Sequence, residues 1–366
     1  MRLLFYIHAM TGGGAERVMA TLMNAFVEQG HTVRIVYTMG LESPVYELDP
    51  RIEQVYLAKN GPKVKKSIVN KIHRRLVYYP AIRREAKRFA PDFAISFIKT
   101  HNNDILFALL GTGIPVIVGD HTNISRKYKK KTLLLSKLLY PTAAGITMLT
   151  KCDYDVWKTK YEQSFYIPNP CDFGPQAVAR QRQKTLLAVG RVFQWHIKGF
   201  DNLLKAWNRI KDKFPDWKCQ IAGGYDEKSM ASLRSAVTEQ EFNSVEFLGF
   251  RSDIKDLMMQ SEVFCLSSRF EGMPMALLEA MNAGCACVAF DCVTGPSEMI
   301  EDGVTGLLVK NQDVNDLAEK LEQIITYENL RERFHKNASK SVTRFSTANI
   351  IGMWNEMFNK IISKKC

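Results

Sequence analysis

The residues best suited to chemistry lie in the second half of the chain. Ser267 to Gly284 reads S-S-R-F-E-G-M-P-M-A-L-L-E-A-M-N-A-G, with Glu271 and Glu279 eight positions apart. Glu271 falls in a Gly/Pro loop after an apolar strand, and Glu279 falls on an apolar helix predicted over Met275 to Ala283. A carboxylate on so apolar a face needs a partner, because burying an unpaired charge is costly; a ribose diol would serve. Upstream, Gly190-Arg191 ends a predicted strand and Lys198-Gly199 precedes a predicted helix. Two cations so placed are suited to a diphosphate, whose departing charge they would stabilise electrostatically. Taken singly, each pair is also compatible with solvated loop charges. Their position between strands and helices favours the functional reading.

The first half has its own candidates. Thr11-Gly12-Gly13-Gly14-Ala15-Glu16-Arg17 lies between strand and helix. Glycines there allow close backbone approach, and a helix N-terminus attracts phosphate. The run is not a G-x-G-x-x-G fingerprint, since Arg17 occupies the third glycine position, which argues against a nicotinamide dehydrogenase. His121 follows an apolar strand in Asp120-His121-Thr122-Asn123. Proton handling and simple hydrogen bonding into a loop are both open to it. His8 and His101 carry no comparable support. Asp153-Tyr154-Asp155 spells D-x-D, but it opens a helix with Asp153 as expected N-cap, and no metal site is expected.

These residues need a scaffold, and the hydrophobic pattern supplies one. Strands are predicted at Leu3 to His8, Thr32 to Thr38, Phe93 to Phe97, Val116 to Gly119, Gly145 to Leu149 and Ser164 to Ile167, with helical segments between them, the first from Ala15 to Gly30. A second series has strands at Thr185 to Val189, Lys218 to Ala222, Val245 to Leu248, Val263 to Leu266, Ala286 to Phe290 and Gly306 to Val309. Its helices fall at Gly199 to Phe214, Ser229 to Glu239, Ile254 to Gln260, Met275 to Ala283 and Val314 to Glu328. Strict alternation predicts parallel, doubly wound sheets. The expected organisation is α/β: a Rossmann-like domain over 1–172, a linker over 173–184, a second Rossmann-like domain over 185–345, and a C-terminal helix over 346–366 packing back toward the first domain. Ligands of such sheets bind at the carboxyl ends of the strands.

Length and composition agree. At about 100–200 residues per domain, 366 residues predict two domains. Apolar residues make up 46% and charged residues 24%, as in ordinary globular proteins. No run reaches the roughly 18 apolar residues that would span a bilayer, and the N-terminus reads as a strand and not a signal peptide. The eight cysteines form no C-x-x-C pair, which favours a reduced, cytoplasmic protein. The net charge is +12, and residues 1–172 hold 25 Lys+Arg against 14 Asp+Glu, a net of +11. Such asymmetry points to a polyanionic partner. Lys65, Lys66, Lys71, Arg74 and Arg75 flank an apolar stripe of Val64, Ile68, Ile72 and Leu76, the pattern of an interfacial helix. A second cluster, Arg126-Lys127-Tyr128-Lys129-Lys130-Lys131, precedes Leu133 to Leu139. The stripe could instead pack on its own domain. Nucleic acid is disfavoured, because no nucleic-acid motif is present.

Together the G-G-G-A-E-R turn, the G-R…K-G pair and the E-G-x-P-x-x-x-x-E segment resemble the family 4 retaining glycosyltransferases of GT-B fold, over essentially the whole chain. The subgroup most resembled extends lipid-linked oligosaccharides in bacterial capsule, O-antigen or N-glycan assembly. Asp120-His121-Thr122-Asn123 is similar to its E-H-S-N motif, with Asp for the more usual Glu, and Asn169-Pro170-Cys171 to its inter-domain turn. The loop containing Trp195-His196 is slightly longer than in many members. The resemblance implies two Rossmann-like domains facing across a cleft that closes on substrate. It implies no cofactor and no metal. Arg191 and Lys198 would clamp the diphosphate of a nucleotide-sugar, expected to be UDP-linked. Glu279 would hold the ribose, and Glu271 with Gly272, Met273 and Pro274 the sugar. Phe250 and Arg251 would lie by the base. Gly13 and Gly14 would approach the diphosphate, with Glu16 and His121 on the acceptor side. The acceptor implied is a polyprenyl-diphosphate-linked or growing saccharide, and Lys65, Lys66, Lys71, Arg74 and Arg75 would meet its diphosphate or an anionic membrane at the inner face of the cell membrane. The rivals are a sugar-nucleotide epimerase, a glucan synthase, or a non-catalytic GT-B scaffold.

Overall fold

The computed structural model describes residues 1–10, 13–38, 46–57, 68–121, 128–171 and 182–364, with side chains of 68–76 excepted. The chain forms two compact units, one of Met1–Pro170 with Thr347–Cys366 and one of Cys171–Ser346.

In the first unit, β1 (Arg2–Ile7), β2 (Thr32–Tyr37), β3 (Glu53–Tyr56), β4 (Phe93–Phe97), β5 (Val116–Asp120), β6 (Gly145–Met148) and β7 (Ser164–Tyr166) form one sheet in the order β3-β2-β1-β4-β5-β6-β7. Every neighbouring pair is parallel. The helices between them are α1 (Gly14–Glu28), α2 (Ile68–Phe89), α3 (Lys99–Leu109), α4 (Lys130–Leu139) and α5 (Lys151–Lys158). Leu3, Leu4, Phe5, Tyr6 and Ile7 are all buried, as are Phe93 to Phe97. A strand covered on both faces has no polar side to show, hence the unbroken apolar runs. The C-terminal helix, Thr347–Ser363, belongs to this unit: Phe358 stacks on Phe93 at 4.7 Å, and Trp354 meets Phe26 edge-on at 6.2 Å.

The second unit repeats the plan. Its strands are β8 (Gln183–Val189), β9 (Lys218–Ala222), β10 (Glu246–Gly249), β11 (Ser261–Leu266), β12 (Ala286–Phe290) and β13 (Gly306–Val309), in the parallel order β10-β9-β8-β11-β12-β13. Its helices are α6 (Trp195–Lys198), α7 (Phe200–Ile210), α8 (Glu227–Arg234), α9 (Glu239–Phe242), α10 (Ile254–Gln260), α11 (Met275–Asn282), α12 (Pro296–Met299), α13 (Val314–Thr326) and α14 (Glu328–Ser341). Cys219, Cys265 and Cys287 pack in its interior as small apolar groups, and burial pushes the Cys265 thiol up to about 12.

In each sheet the chain winds outward on one side, then returns to wind outward on the other. The reversal falls between β1 and β4 in the first unit and between β8 and β11 in the second. The carboxyl ends of those strands border the crevice in which such sheets hold ligands.

Three local readings change. Asp153 does not cap its helix: the Thr150 hydroxyl accepts the Asp153 N–H at 3.1 Å, so Thr150 is the cap and Asp153 lies inside the first turn. The helix expected over Ser229 to Glu239 is two. Asp226 caps α8 by accepting from Ser229 N, and Thr238 caps α9 by accepting from Glu241 N. Strand β3, E-Q-V-Y, was not expected. It sits at the sheet edge, with Glu53 and Gln54 exposed, and Arg34 of β2 holds Glu53 at 2.7 Å.

Candidate active site

In the second unit the loops after β8 and β11 meet. Lys198 Nζ donates to Glu271 Oε1 at 2.7 Å, and the Ser268 hydroxyl donates to the same oxygen at 2.7 Å. Both partners are largely covered, at 23% and 12% side-chain exposure. The two loops are joined at further points. Ser267 Oγ donates to Lys198 O at 2.9 Å, and Arg269 N donates to Ile197 O at 2.8 Å. The Arg269 guanidinium donates to His196 O and to both oxygens of Asp201. Gly199 makes this closeness possible. Its φ is +63°, and a Cβ there would lie 1.9 Å from Ser267 O. Arg191, at the end of β8, is exposed with its guanidinium 5.8 Å from the centre of the Phe193 ring.

Glu271 is followed by Gly272, Met273 and Pro274, of which Met273 is buried and Pro274 caps α11. The Thr294 N–H donates to Glu271 O, and its hydroxyl to Gly272 O, which fixes this loop against the end of β12. Glu279 lies on α11 at 5% exposure, the buried carboxylate its apolar helix led us to expect. Past β10, Phe250 is 83% exposed, while the Arg251 guanidinium takes both oxygens of Asp253.

In the first unit His121 follows β5. Its ring stacks on Phe97, the last residue of β4, at 4.0 Å and 24°. Gly119 leaves room for the stack: a Cβ there would lie 2.7 Å from Phe97 Cδ1 and 2.9 Å from His121 Nε2. His121 Nδ1 is buried and finds no hydrogen-bond partner among the described residues. Burial pushes its pKa down to about 3, so the imidazole is neutral near pH 7. Asp120 beside it is tied to Lys99 Nζ at 2.7 Å, with both groups buried. The Asn102 amide donates to Gly119 O at 2.8 Å. Glu16 turns back on its own helix, where its Oε2 accepts the Gly13 N–H at 2.9 Å. A Cβ on Gly14 would meet nothing within 4 Å. Lys65, Lys66, Thr122 and Asn123 lie outside the described residues, as do Gly12 and most of the expected linker. Lys71, Arg74 and Arg75 lie on the backbone of α2, and their side chains are outside the description.

Two family models account for most of the chain. "Glycosyltransferase Family 4" matches residues 12–173, and "Glycosyl transferases group 1" matches residues 174–341. The chain is a family 4 glycosyltransferase. A Campylobacter jejuni protein named GalNAc-alpha-(1->4)-GalNAc-alpha-(1->3)-diNAcBac-PP-undecaprenol alpha-1,4-N-acetyl-D-galactosaminyltransferase is 27% identical to it, covering 99% of each chain. The Erwinia amylovora amylovoran biosynthesis glycosyltransferase AmsD is 27% identical, covering 98% of this chain and 99% of its own. The fold is GT-B. A mutant of S. aureus TarM, solved in complex with fondaparinux, alpha-GlcNAc-glycerol and UDP, superposes with a TM-score of 0.79 at 15% identity, over 98% of this chain and 99% of that one.

Sequence reasoning missed two features of this glycosyltransferase. Lys99 was not singled out, although it stands two residues past the apolar strand β4. The second is a rim of exposed apolar side chains in the second unit, of which Phe250 alone was expected: Phe193 and Ile197 follow β8, Tyr225 β9, Phe250 β10, Phe270 β11 and Val293 β12. Each is 44% exposed or more, too far out of the core to be packing residues. Only the sheet order reveals that they share one edge.

Proposed function

We propose that this glycosyltransferase moves a sugar, with retention of anomeric configuration, from a UDP-sugar to a polyprenyl-diphosphate-linked saccharide. The observation that carries this is the Lys198–Glu271 pair at the reversal point of the second sheet, with Arg191 at the end of the neighbouring strand. An ammonium has three N–H donors. Lys198 gives one to Glu271 and has others for phosphate oxygens, so it joins the sugar-holding carboxylate to the leaving group. Arg191 adds a second positive charge. Together they stabilise the departing diphosphate, a role a metal has elsewhere, and we read the reaction as metal-independent. Glu279 receives the ribose hydroxyls, Gly272 to Pro274 contribute backbone groups to the sugar, and Phe250 offers a face to the base beside Arg251. Gly13 and Gly14 approach the diphosphate, with open space at Gly14. Glu16 supports them by capping their helix.

The bond between the anomeric carbon and the phosphate oxygen breaks as the acceptor oxygen bonds to the same face. The acceptor proton passes to the departing phosphate oxygen. His121, neutral, hydrogen-bonds at the reacting sugar and acceptor hydroxyl without changing charge. The UDP bound to TarM and the undecaprenol-linked substrate in the name of the Campylobacter relative support these choices of donor and acceptor.

We further place the enzyme at the cytoplasmic face of an anionic membrane. No described helix is long and apolar enough to cross one. On α4, Leu133, Leu134 and Leu138 are 46%, 60% and 65% exposed, among exposed Lys129, Lys130, Lys131 and Lys137. Phe107 and Leu110 are exposed at the end of the neighbouring α3. Leucines ringed by lysines suit the headgroup boundary of an anionic leaflet. Lys65, Lys66, Lys71, Arg74 and Arg75 would add cations to the same partner.

The test is transfer from radiolabelled UDP-sugars to polyprenyl-diphosphate-linked saccharides in EDTA. A labelled lipid-linked product with the donor's anomeric configuration, assigned by NMR, supports the reading. An inverted product, or no transfer from any UDP-sugar, overturns it.

A further inference from the structure

Arg269 lies two residues before Glu271 in the S-S-R-F-E-G run, and its contacts tie it to the segment that carries Lys198. Lys198 is the last residue of α6, a helix of four residues, none of them fully buried. Trp195 packs against the interior of the unit, but so short a helix is marginal without further anchors. Its carbonyls also lack the partners that a longer helix would supply. Each finds one outside the helix. The Gly199 N–H donates to Trp195 O. The others are taken by the loop after β11. The Arg269 guanidinium donates to His196 O at 2.8 Å, the Arg269 N–H to Ile197 O at 2.8 Å, and the Ser267 hydroxyl to Lys198 O at 2.9 Å. Arg269 thus closes both His196 O and Ile197 O.

Asp201 holds that guanidinium in place. It lies in the first turn of α7, and its Oδ1 and Oδ2 accept from Nη1 and Nη2 at 2.7 Å each. Two parallel bonds fix the plane of the guanidinium, which a single ammonium cannot reproduce. Asn202 Oδ1 also accepts from Nη2, at 3.4 Å. Both N–H groups of Nη1 and both of Nη2 are therefore used inside the protein. The ion pair is covered, at 13% and 8% side-chain exposure. Arg269 is thus placed to hold protein groups and not a diphosphate. It reaches the reacting groups through the chain: two residues on, Glu271 Oε1 accepts from Lys198 Nζ at 2.7 Å.

We propose that Arg269, oriented by Asp201, is a positioning residue for sugar transfer: by closing the end of α6 it sets Lys198 where it meets both Glu271 and the departing diphosphate. The proposal rests on the role given to Lys198 above, so kcat of the wild-type enzyme and of Lys198→Ala is measured first. Its own test is a double-mutant cycle, with Arg269→Lys made in the wild-type and in the Lys198→Ala background. Lysine keeps the charge but has no fork to span Asp201 and His196 O. In the wild-type background kcat is expected to fall about tenfold to a hundredfold, as for a misplaced reacting group, while acceptor KM moves far less. In the Lys198→Ala background the same change should cost less than about twofold, because a residue acting through Lys198 has nothing left to position. A residue that only supports the fold would lower kcat by the same factor in both backgrounds, and that result would overturn the proposal. So would a kcat within about twofold of wild type in Arg269→Lys. Asp201→Asn keeps the shape and removes one side of the fork, and it carries the same cycle should Arg269→Lys fail to fold. Wild-type turnover in Lys198→Ala, or no transfer by the wild-type enzyme, would overturn the broader reading and this one with it, a result distinct from equal losses in both backgrounds.

Discussion

Lys198 and Glu271 stand 73 positions apart in the chain and 2.7 Å apart in space, at the ends of adjacent strands β8 and β11. The pair joins the two motifs with the strongest chemical promise into one unit. Replacing Lys198 by Ala removes the cation and leaves Glu271 with the Ser268 hydroxyl as a remaining donor. Turnover should fall by about two to three orders of magnitude, the usual cost of deleting one electrostatic stabiliser of a leaving group. The fold should survive, with a loss of about 1–3 kcal/mol for the half-satisfied carboxylate. Measuring kcat with a UDP-sugar alongside the thermal midpoint separates the two effects. Wild-type turnover in Lys198→Ala would end the assignment of this lysine.

Gly199 is the geometric condition for that pair. Its φ of +63° is strained for other residues, and a Cβ would press to 1.9 Å from the backbone oxygen of Ser267. Gly199→Ala must therefore part the loops that Ser267, Arg269 and Lys198 hold together. We expect a destabilisation of at least about 2 kcal/mol, more than left-handed strain alone, together with loss of activity. Gly14→Ala, where a Cβ meets open space, should leave the melting temperature where it is. Equal melting temperatures for wild type and Gly199→Ala would contradict the packing described.

The strands were legible because parallel strands buried on both faces leave continuous apolar runs, as in Leu3–Ile7 and Ala286–Phe290. Glu279 was legible for a related reason: a carboxylate among Leu277, Leu278 and Met281 has to be buried. Strand β3 was hidden because half of E-Q-V-Y faces solvent and its pairing with β2 is what makes it a strand. The Lys99–Asp120 pair was hidden for a different reason. Lys99 opens α3 and Asp120 ends β5, and only the sheet order brings them together. Most of the exposed rim is the same case: Phe193 after β8 and Val293 after β12 are far apart in the chain, whereas Phe250 is named through the resemblance.

The α4 face makes a prediction about lipid. Leu134 and Leu138 lie one turn apart and well exposed, with Lys130, Lys131 and Lys137 around them. Leu134→Ser with Leu138→Ser should lower binding to anionic vesicles by about tenfold or more, given roughly 25 cal/mol per Å² of apolar surface. Charge reversal at Lys130, Lys131 and Lys137 should weaken it further and flatten its salt dependence, since each cation near the leaflet is worth about 1 kcal/mol. Flotation with vesicles of phosphatidylglycerol and of phosphatidylcholine is the measurement. Equal binding of both vesicle types by wild type and variants would remove α4 from the membrane contact.

His121 makes a prediction about acid. Its pKa is lowered by burial against Phe97, from the ordinary 6.5 to about 3. An unfolded chain takes up a proton at this residue below pH 6.5, and the folded one does not until about pH 3. The stability tied to the neutral imidazole is therefore complete above pH 6.5 and is lost as pH falls between those values, by about 1.4 kcal/mol per pH unit. His335, lowered to about 4 by burial, adds a loss of the same sign. His121→Asn should thus show a shallower fall of the thermal midpoint between pH 6.5 and 4 than wild type, even if it is less stable at pH 8. The same burial predicts that kcat carries no ionisation of His121 near pH 6.5. Gly119→Ala tests the geometry behind both statements, because its methyl group would push the ring off Phe97. Its kcat should fall sharply, with the imidazole pKa, followed by NMR, moving back toward 6.5. An unshifted imidazole resonance in Gly119→Ala would mean that some other contact holds the ring.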